Sequence, residues 1–154
     1  MDPTVLFVDD EPEVIEGLKR GFHKLPYNLL WAYSGREAIE ILSSQKVDVL
    51  VADELMPEMS GSQLLAYVRK HYPQVLRIML TGHASVASAM NAIYDGWVYQ
   101  YLHKPCNAAD LASAVYNGLL LQSLQTKEEG PHVVMSAAEQ DDLMAHVAGK
   151  TTEP

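Results

Sequence analysis

Five short apolar runs recur along the chain: TVLFV (4–8), NLLWAY (28–33), VDVLVA (47–52), VLRIML (75–80) and VYQYLH (98–103). Their nearly continuous apolar or β-branched character is that of strands covered on both faces, as in a parallel sheet. Between the runs, apolar residues return at helical spacing. Val14, Ile15, Leu18 and Phe22 share one face, as do Ala38, Ile41 and Leu42, and Leu64, Leu65, Val68 and Tyr72. Val86, Met90 and Ile93 form a fourth such set, and Leu111, Val115 and Leu119 a fifth. Pro12, Ser34-Gly35, Pro57, Ser60-Gly61, Pro73, Gly96 and Pro105 fall between the elements, where helix starts and turns belong.

Five consecutive βα units predict an α/β fold: a three-layer, doubly wound, five-stranded parallel sheet with helices on both faces. Right-handed crossovers leave few topologies, and the common one for five strands is the flavodoxin-like order 2-1-3-4-5. Ligands of such sheets bind beyond the carboxyl ends of the strands, at the switch point between strands 1 and 3. The pattern closes near Gln122, so residues 1–122 are expected to form the domain. Residues 123–135 read as a polar linker and 136–154 as a tail with a short helix over Ser136–Val147, where Ser136 and Glu139 have capping-box spacing. Leu119, Leu120, Leu121 and Leu124 exceed what one buried face needs. They fit either a core-facing helix with an apolar end or a dimerisation or inter-domain surface.

Composition narrows the classes. The length of 154 residues is that of one domain, and 48% hydrophobic with 20% charged residues is ordinary for a globular protein. A formal net charge of −9 argues against nucleic-acid binding by this chain alone. The one cysteine, Cys106, allows no internal disulfide and reads as a small packing residue. No leader pattern and no membrane-length apolar run is visible, so a cytoplasmic protein is expected.

The chemistry gathers at the strand ends. Asp9, Asp10 and Glu11 close the first strand and Asp53 the third, so the topology brings carboxylates together at the switch point. They would repel one another strongly unless a cation neutralises them, and hard oxygen ligands suit Mg²⁺. Taken alone, Asp9 to Glu11 also read as charges that complement the dipole of the first helix. Thr81 ends the fourth strand and Lys104 follows the fifth. A hydroxyl and an ammonium beside a metal and a carboxylate form a set suited to phosphoryl transfer onto Asp.

VDDE with Asp9 and Asp10, ADELMPEMSG with Asp53, LTG with Thr81 and YLHKP with Lys104 resemble the receiver domain of bacterial two-component response regulators, chemotaxis regulators included, over about Thr4 to Gln122. The resemblance implies a phosphoacceptor signalling switch and not an enzyme in its own right: its chemistry is self-catalysed phosphoryl transfer and autodephosphorylation. Asp53 then accepts a phosphoryl group from a histidine kinase or phosphotransfer protein. Asp10, Asp53 and the backbone carbonyl of Leu55 ligate Mg²⁺, and Asp9 acts through the metal's water. Thr81 and Lys104 grip the phosphoryl oxygens. Tyr101 turns inward as Thr81 moves, which reshapes the surface of the fourth helix, fifth strand and fifth helix. That surface would control a downstream protein or output domain, with a phosphorylation-dependent homodimer as one form of output. Leu55 and His83 occupy the two places that tune loss of the phosphate.

Other classes fit less well. An Asp-nucleophile phosphatase needs Asp-x-Asp on the first strand, and this chain has Asp9-Asp10-Glu11-Pro12. A flavodoxin needs a hydroxyl- and glycine-rich phosphate loop there. A degenerate receiver, acting as a phosphorylation-independent interaction module, usually lacks a core residue, and none is missing here.

Overall fold

Alternate residues of β1 (Thr4–Val8) point into two different cores. The computed structural model describes residues 2–82 and 98–129. In it Val5 and Phe7 pack on one side of a sheet, with Ile15, Leu18 and Phe22 of α1 (Pro12–Phe22) and Leu111, Ala114 and Val115 of α4 (Ala108–Glu129). Leu6 and Val8 pack on the other side, with Ala38 and Leu42 of α2 (Gly35–Ser44) and Leu64, Leu65 and Val68 of α3 (Gly61–His71). Period-two alternation therefore feeds both layers, and for this reason the strand reads as unbroken apolar sequence. Phe7 and Phe22 meet edge-on, with ring centroids 5.1 Å apart.

The other strands are β2 (Asn28–Ala32), β3 (Val49–Ala52), β4 (Leu76–Thr81) and β5 (Gln100–His103). All pairings are parallel and the order is β2-β1-β3-β4-β5, the doubly wound topology expected. The helix starts follow local chemistry. Pro12 opens α1, where its missing N–H costs nothing. Ser34 caps α2 by accepting from the Glu37 N–H. Ser60 and Gln63 form a reciprocal capping box on α3.

One boundary differs from the sequence reading. The last helix does not stop near Gln122 but continues to Glu129, so the first seven residues of the expected linker, 123–129, are helical. Ser123 and Leu124 open that stretch, Gln, Thr, Lys and Glu fill the rest, and the first breakers are Gly130 and Pro131. Polar residues running into Gly130-Pro131 read as a linker, whereas Gln, Lys and Glu are good helix formers. The helix expected around Val86, Met90 and Ile93, His83, and the tail helix over 136–147 lie outside the described residues. No helix among the described residues is long and apolar enough to cross a membrane.

Candidate functional site

Sheet register carries the site residues to one place. Val8 lies opposite Ala52, so Asp9 and Asp53 leave the sheet side by side; the Asp53 N–H still donates to the Val8 carbonyl at 3.0 Å. The Asp9 N–H donates to the Ala32 carbonyl at 3.2 Å. On the far side Thr81 lies opposite His103, and the Lys104 N–H donates to the Thr81 carbonyl at 2.9 Å. The carboxyl ends of four strands thus deliver Asp9, Asp53, Thr81 and Lys104 to the switch point.

The carboxylates are crowded. One oxygen from each of Asp9, Asp10, Glu11 and Asp53 falls within 4.8 Å of the others. Asp9 and Asp53 are buried at 3% and 5% exposure, which removes the water that would screen them. Lys104 is the counter-charge: its Nζ lies 2.8 Å from Asp9, 3.5 Å from Asp53 and 3.8 Å from Glu11. The protonation balance reflects this crowding. Burial, then the Asp9 charge, pushes the Asp53 carboxyl above its ordinary value, and Lys104 only partly opposes them. Burial alone would lower the Lys104 ammonium. The hydrogen bond to Asp9 and the charges of Asp9, Asp53 and Glu11 outweigh that effect and raise it.

An acid cluster with one ammonium is under-neutralised. An added divalent cation fits it by charge and by oxygen donors, as Mg²⁺ requires. Thr81 is fully buried at the base of the site. Leu55, by contrast, is 54% exposed at the rim of an open groove of about 680 Å³ that runs from Asp10 and Asp53 past Val14 and Leu18 to Cys106. The Tyr101 ring packs against the core on the α2–α3 side. Its hydroxyl is buried without a hydrogen-bond partner among the described residues. Burial, then the Glu54 and Asp53 charges, raises it.

The structure therefore brings together Asp9, Asp10, Asp53, Thr81, Leu55 and Lys104, the residues that the sequence singles out. Glu11, the third carboxylate after β1, joins the cluster from the N-cap of α1. One further acid stands out only in three dimensions: Glu54 turns to Ser62 on α3. Nothing in the sequence marks that contact across eight positions.

The model of the response regulator receiver domain matches residues 5–116. The chain belongs to this family. Among relatives of this receiver, the transcriptional regulatory protein GlrR of Escherichia coli (strain K12) is 32% identical over 132 residues, 86% of this chain and 30% of its own length. The sensor kinase CckA of Brucella abortus (strain 2308) is 39% identical over 114 residues, 73% of this chain and 12% of the kinase. The receiver thus spans less than a third of either relative. A solved signal receiver domain of an HD domain-containing protein from Pseudomonas fluorescens Pf-5 superposes with a TM-score of 0.76 at 32% identity, covering 80% of this chain and 98% of that one. These relatives place the chain among the regulatory receivers of bacterial two-component systems.

Proposed function

We propose that this receiver is a phosphorylation switch with Asp53 as the acceptor. One observation carries the reading: Asp53, brought in by β3, is buried beside the three acids that follow β1, with the Lys104 ammonium 3.5 Å away. A nucleophilic oxygen of Asp53 would attack the phosphorus of a phosphohistidine on a kinase or phosphotransfer protein. The N–P bond breaks as the O–P bond forms, and the histidine nitrogen leaves with the bonding pair.

Asp10, Asp53 and the Leu55 carbonyl would hold Mg²⁺, with Asp9 acting through the metal's water. When bound, the cation supplies the positive charge that lets a phosphoryl dianion approach carboxylates. Lys104 and the Thr81 hydroxyl would take the transferred oxygens. For Lys104 this means exchanging its bond to Asp9 for one to the phosphoryl group. Thr81 moving inward would let Tyr101 rotate, and the surface formed by the residues after β4, by β5 and by α4 would pass the change to a partner or attached output domain, as homodimer or monomer. A few kcal/mol of differential interaction shifts such a two-state equilibrium across most of its range. A cytoplasmic location is part of the same reading, with residues 1–122 as the switch proper and the remainder, which α4 enters as far as Glu129, as connection and tail.

Intact mass after incubation with Mg²⁺ and a small acyl-phosphate donor or a cognate kinase tests the assignment. Wild type should gain one phosphoryl group and Asp53→Asn none. Equal gain in both would place the acceptor elsewhere.

A further inference from the structure

Asp53 can meet a phosphorus atom in line only if its backbone is held on both sides. On its amino side the sheet does this, through the bond from the Asp53 N–H to Val8. On its carboxyl side the chain leaves the sheet at once. It runs through exposed Leu55, then through Glu58 in the left-handed region at φ 68°, and re-enters order at the first turn of α3. Such a loop needs a tie at its neck.

The neck is tied by one side chain and one missing side chain. The Glu54 carboxylate accepts from the Ser62 backbone N–H at 3.2 Å and from the Ser62 hydroxyl. The Glu54 carbonyl accepts from the Gly61 N–H at 3.0 Å. The bare Cα of Gly61 lies against the Asp53 carbonyl, so close that a Cβ would come within 2.2 Å of its oxygen. An anion on the first-turn N–H groups of a helix is favoured by the helix dipole and makes stronger hydrogen bonds than a neutral acceptor. The same bonds draw Glu54 away from Asp9, Asp10, Glu11 and Asp53, where another negative charge would deepen the repulsion.

We propose that Glu54 is a positioning residue for phosphoryl transfer. Its carboxylate, through Ser62, holds the Asp53–Glu54 peptide and the following Leu55 carbonyl in the geometry that the acceptor and its metal require. The inference rests on the reading of Asp53 as acceptor and adds a residue that itself touches neither donor nor cation. A purely structural role would lower stability alone. A positioning role would weaken phosphorylation and Mg²⁺ binding in a chain that stays folded, and a side chain that keeps the hydrogen bonds would restore both.

The experiment uses the full chain as wild type, Glu54→Ala, Glu54→Gln, Ser62→Ala and the Glu54→Ala/Ser62→Ala double variant. Phosphorylation rate from a small acyl phosphate is read by intact mass, Mg²⁺ affinity by calorimetry with the metal alone, and folding by thermal melting. Glu54→Ala should slow phosphorylation about tenfold, the effect of one lost charge-assisted hydrogen bond on a positioned group, and weaken Mg²⁺ severalfold. Glu54→Gln should recover most of both, since its amide oxygen can still accept from Ser62. Ser62→Ala keeps the N–H and loses the hydroxyl, so it should fall between them, and it serves if Glu54→Ala does not fold. The double variant should be no worse than Glu54→Ala, because the two residues act as one unit. Rate and Mg²⁺ affinity within twofold of wild type in Glu54→Ala would overturn the proposal, as would additive losses in the double variant. With wild type phosphorylated and Asp53→Asn not, such results would sink the clamp and leave the acceptor standing. A wild type that takes no phosphoryl group from either a small donor or a kinase would remove both.

Discussion

Adding one methyl group at Gly61 tests the neck of the loop after Asp53 from its other side. The Cβ of Gly61→Ala would lie 2.2 Å from the Asp53 oxygen, 2.9 Å from its carbonyl carbon and 3.0 Å from the Glu54 Cα. Real Cβ atoms keep at least 3.0 Å from such neighbours, so the oxygen contact demands about 0.8 Å of movement by backbone that cannot rotate away. Overpacking of this kind costs about 1–3 kcal/mol. With a urea dependence of about 2 kcal/mol per molar, the unfolding midpoint should drop by about 1 M. The same displacement falls on the proposed nucleophile, and a misplacement near 1 Å can cost about a hundredfold in rate. Gly17→Ala is the internal control. Its Cβ meets only an Arg20 nitrogen at 3.8 Å, and an alanine inside α1 should stabilise by up to about 1 kcal/mol. Urea denaturation followed by circular dichroism, beside phosphorylation kinetics by intact mass, separates the two sites. Gly61→Ala with wild-type midpoint and rate would show that the close approach to Asp53 does not constrain the loop. Equal losses in both variants would make the effect one of glycine replacement in general.

Three further outcomes follow from the same geometry. Burial and the Asp9 charge raise the Asp53 carboxyl, so its ionisation disfavours the folded chain as pH rises through its folded-state value. Asp53→Asn should therefore melt higher than wild type at pH 7 without metal, with the gap closing as pH falls toward the ordinary 3.8, and Mg²⁺ should raise the melting temperature of wild type more than that of the variant; a lower melting temperature for the variant at pH 7 would contradict this balance. Tyr101→Phe removes a buried hydroxyl that has no partner among the described residues and should stabilise the unphosphorylated chain by about 1 kcal/mol, read by denaturant unfolding, whereas a loss of that size would mean that the hydroxyl is bonded in solution. Leu55 stands exposed at the rim without a polar atom to orient water, so Leu55→Asn should shorten the phosphorylated lifetime by about tenfold, the effect of one hydrogen bond to an attacking water, as followed by the decay of phosphorylated mass; an unchanged lifetime would show that water is positioned from elsewhere.

What could be read from the sequence, and what could not, divides by the range of the interaction. The strands were legible because burial on both faces leaves little room for polar residues: Val5 to Val8 feed two cores and so form an unbroken apolar run. The site was legible because topology does the assembly. Once β1 and β3 are neighbours, Asp9 and Asp53 must meet, whatever the loops do. The end of α4 was misread because linker and exposed helix share polar residues, and helix propensity discriminates where polarity does not. The Glu54–Ser62 tie had no local signal. A glutamate beside an aspartate and a serine on the first turn of a helix each have ordinary solvated readings, and only the return of the loop joins them. Lys104 shows the same limit in another form. Its place at the end of β5 was predictable, but its partner was not, and in this structure it favours Asp9 over Asp53 by 0.7 Å, the difference between 2.8 Å and 3.5 Å.

That preference bears on why the cluster is built with too many negative charges. If Lys104 fully neutralised Asp53, the proposed acceptor would be a settled ion pair, and phosphorylation would have to break it. Instead the ammonium leans on Asp9, whose Oδ1 also takes the Glu11 N–H at 2.9 Å, while Asp53 stays buried with its carboxyl raised. Asp53 is thus the less compensated carboxylate of the buried pair and the one to which a cation brings the larger gain. A phosphoryl group on Asp53 adds acceptor oxygens and further negative charge within reach of the same ammonium. Lys104 can then move from one carboxylate to the new anion without leaving the site. Under the proposed switch, the energy available is what the phosphoryl group gains from Lys104 beyond what Lys104 gives up on Asp9; both acids are buried and both lie within 4 Å of one Nζ. A two-state equilibrium responds only to that differential, and a few kcal/mol carry it across most of its range.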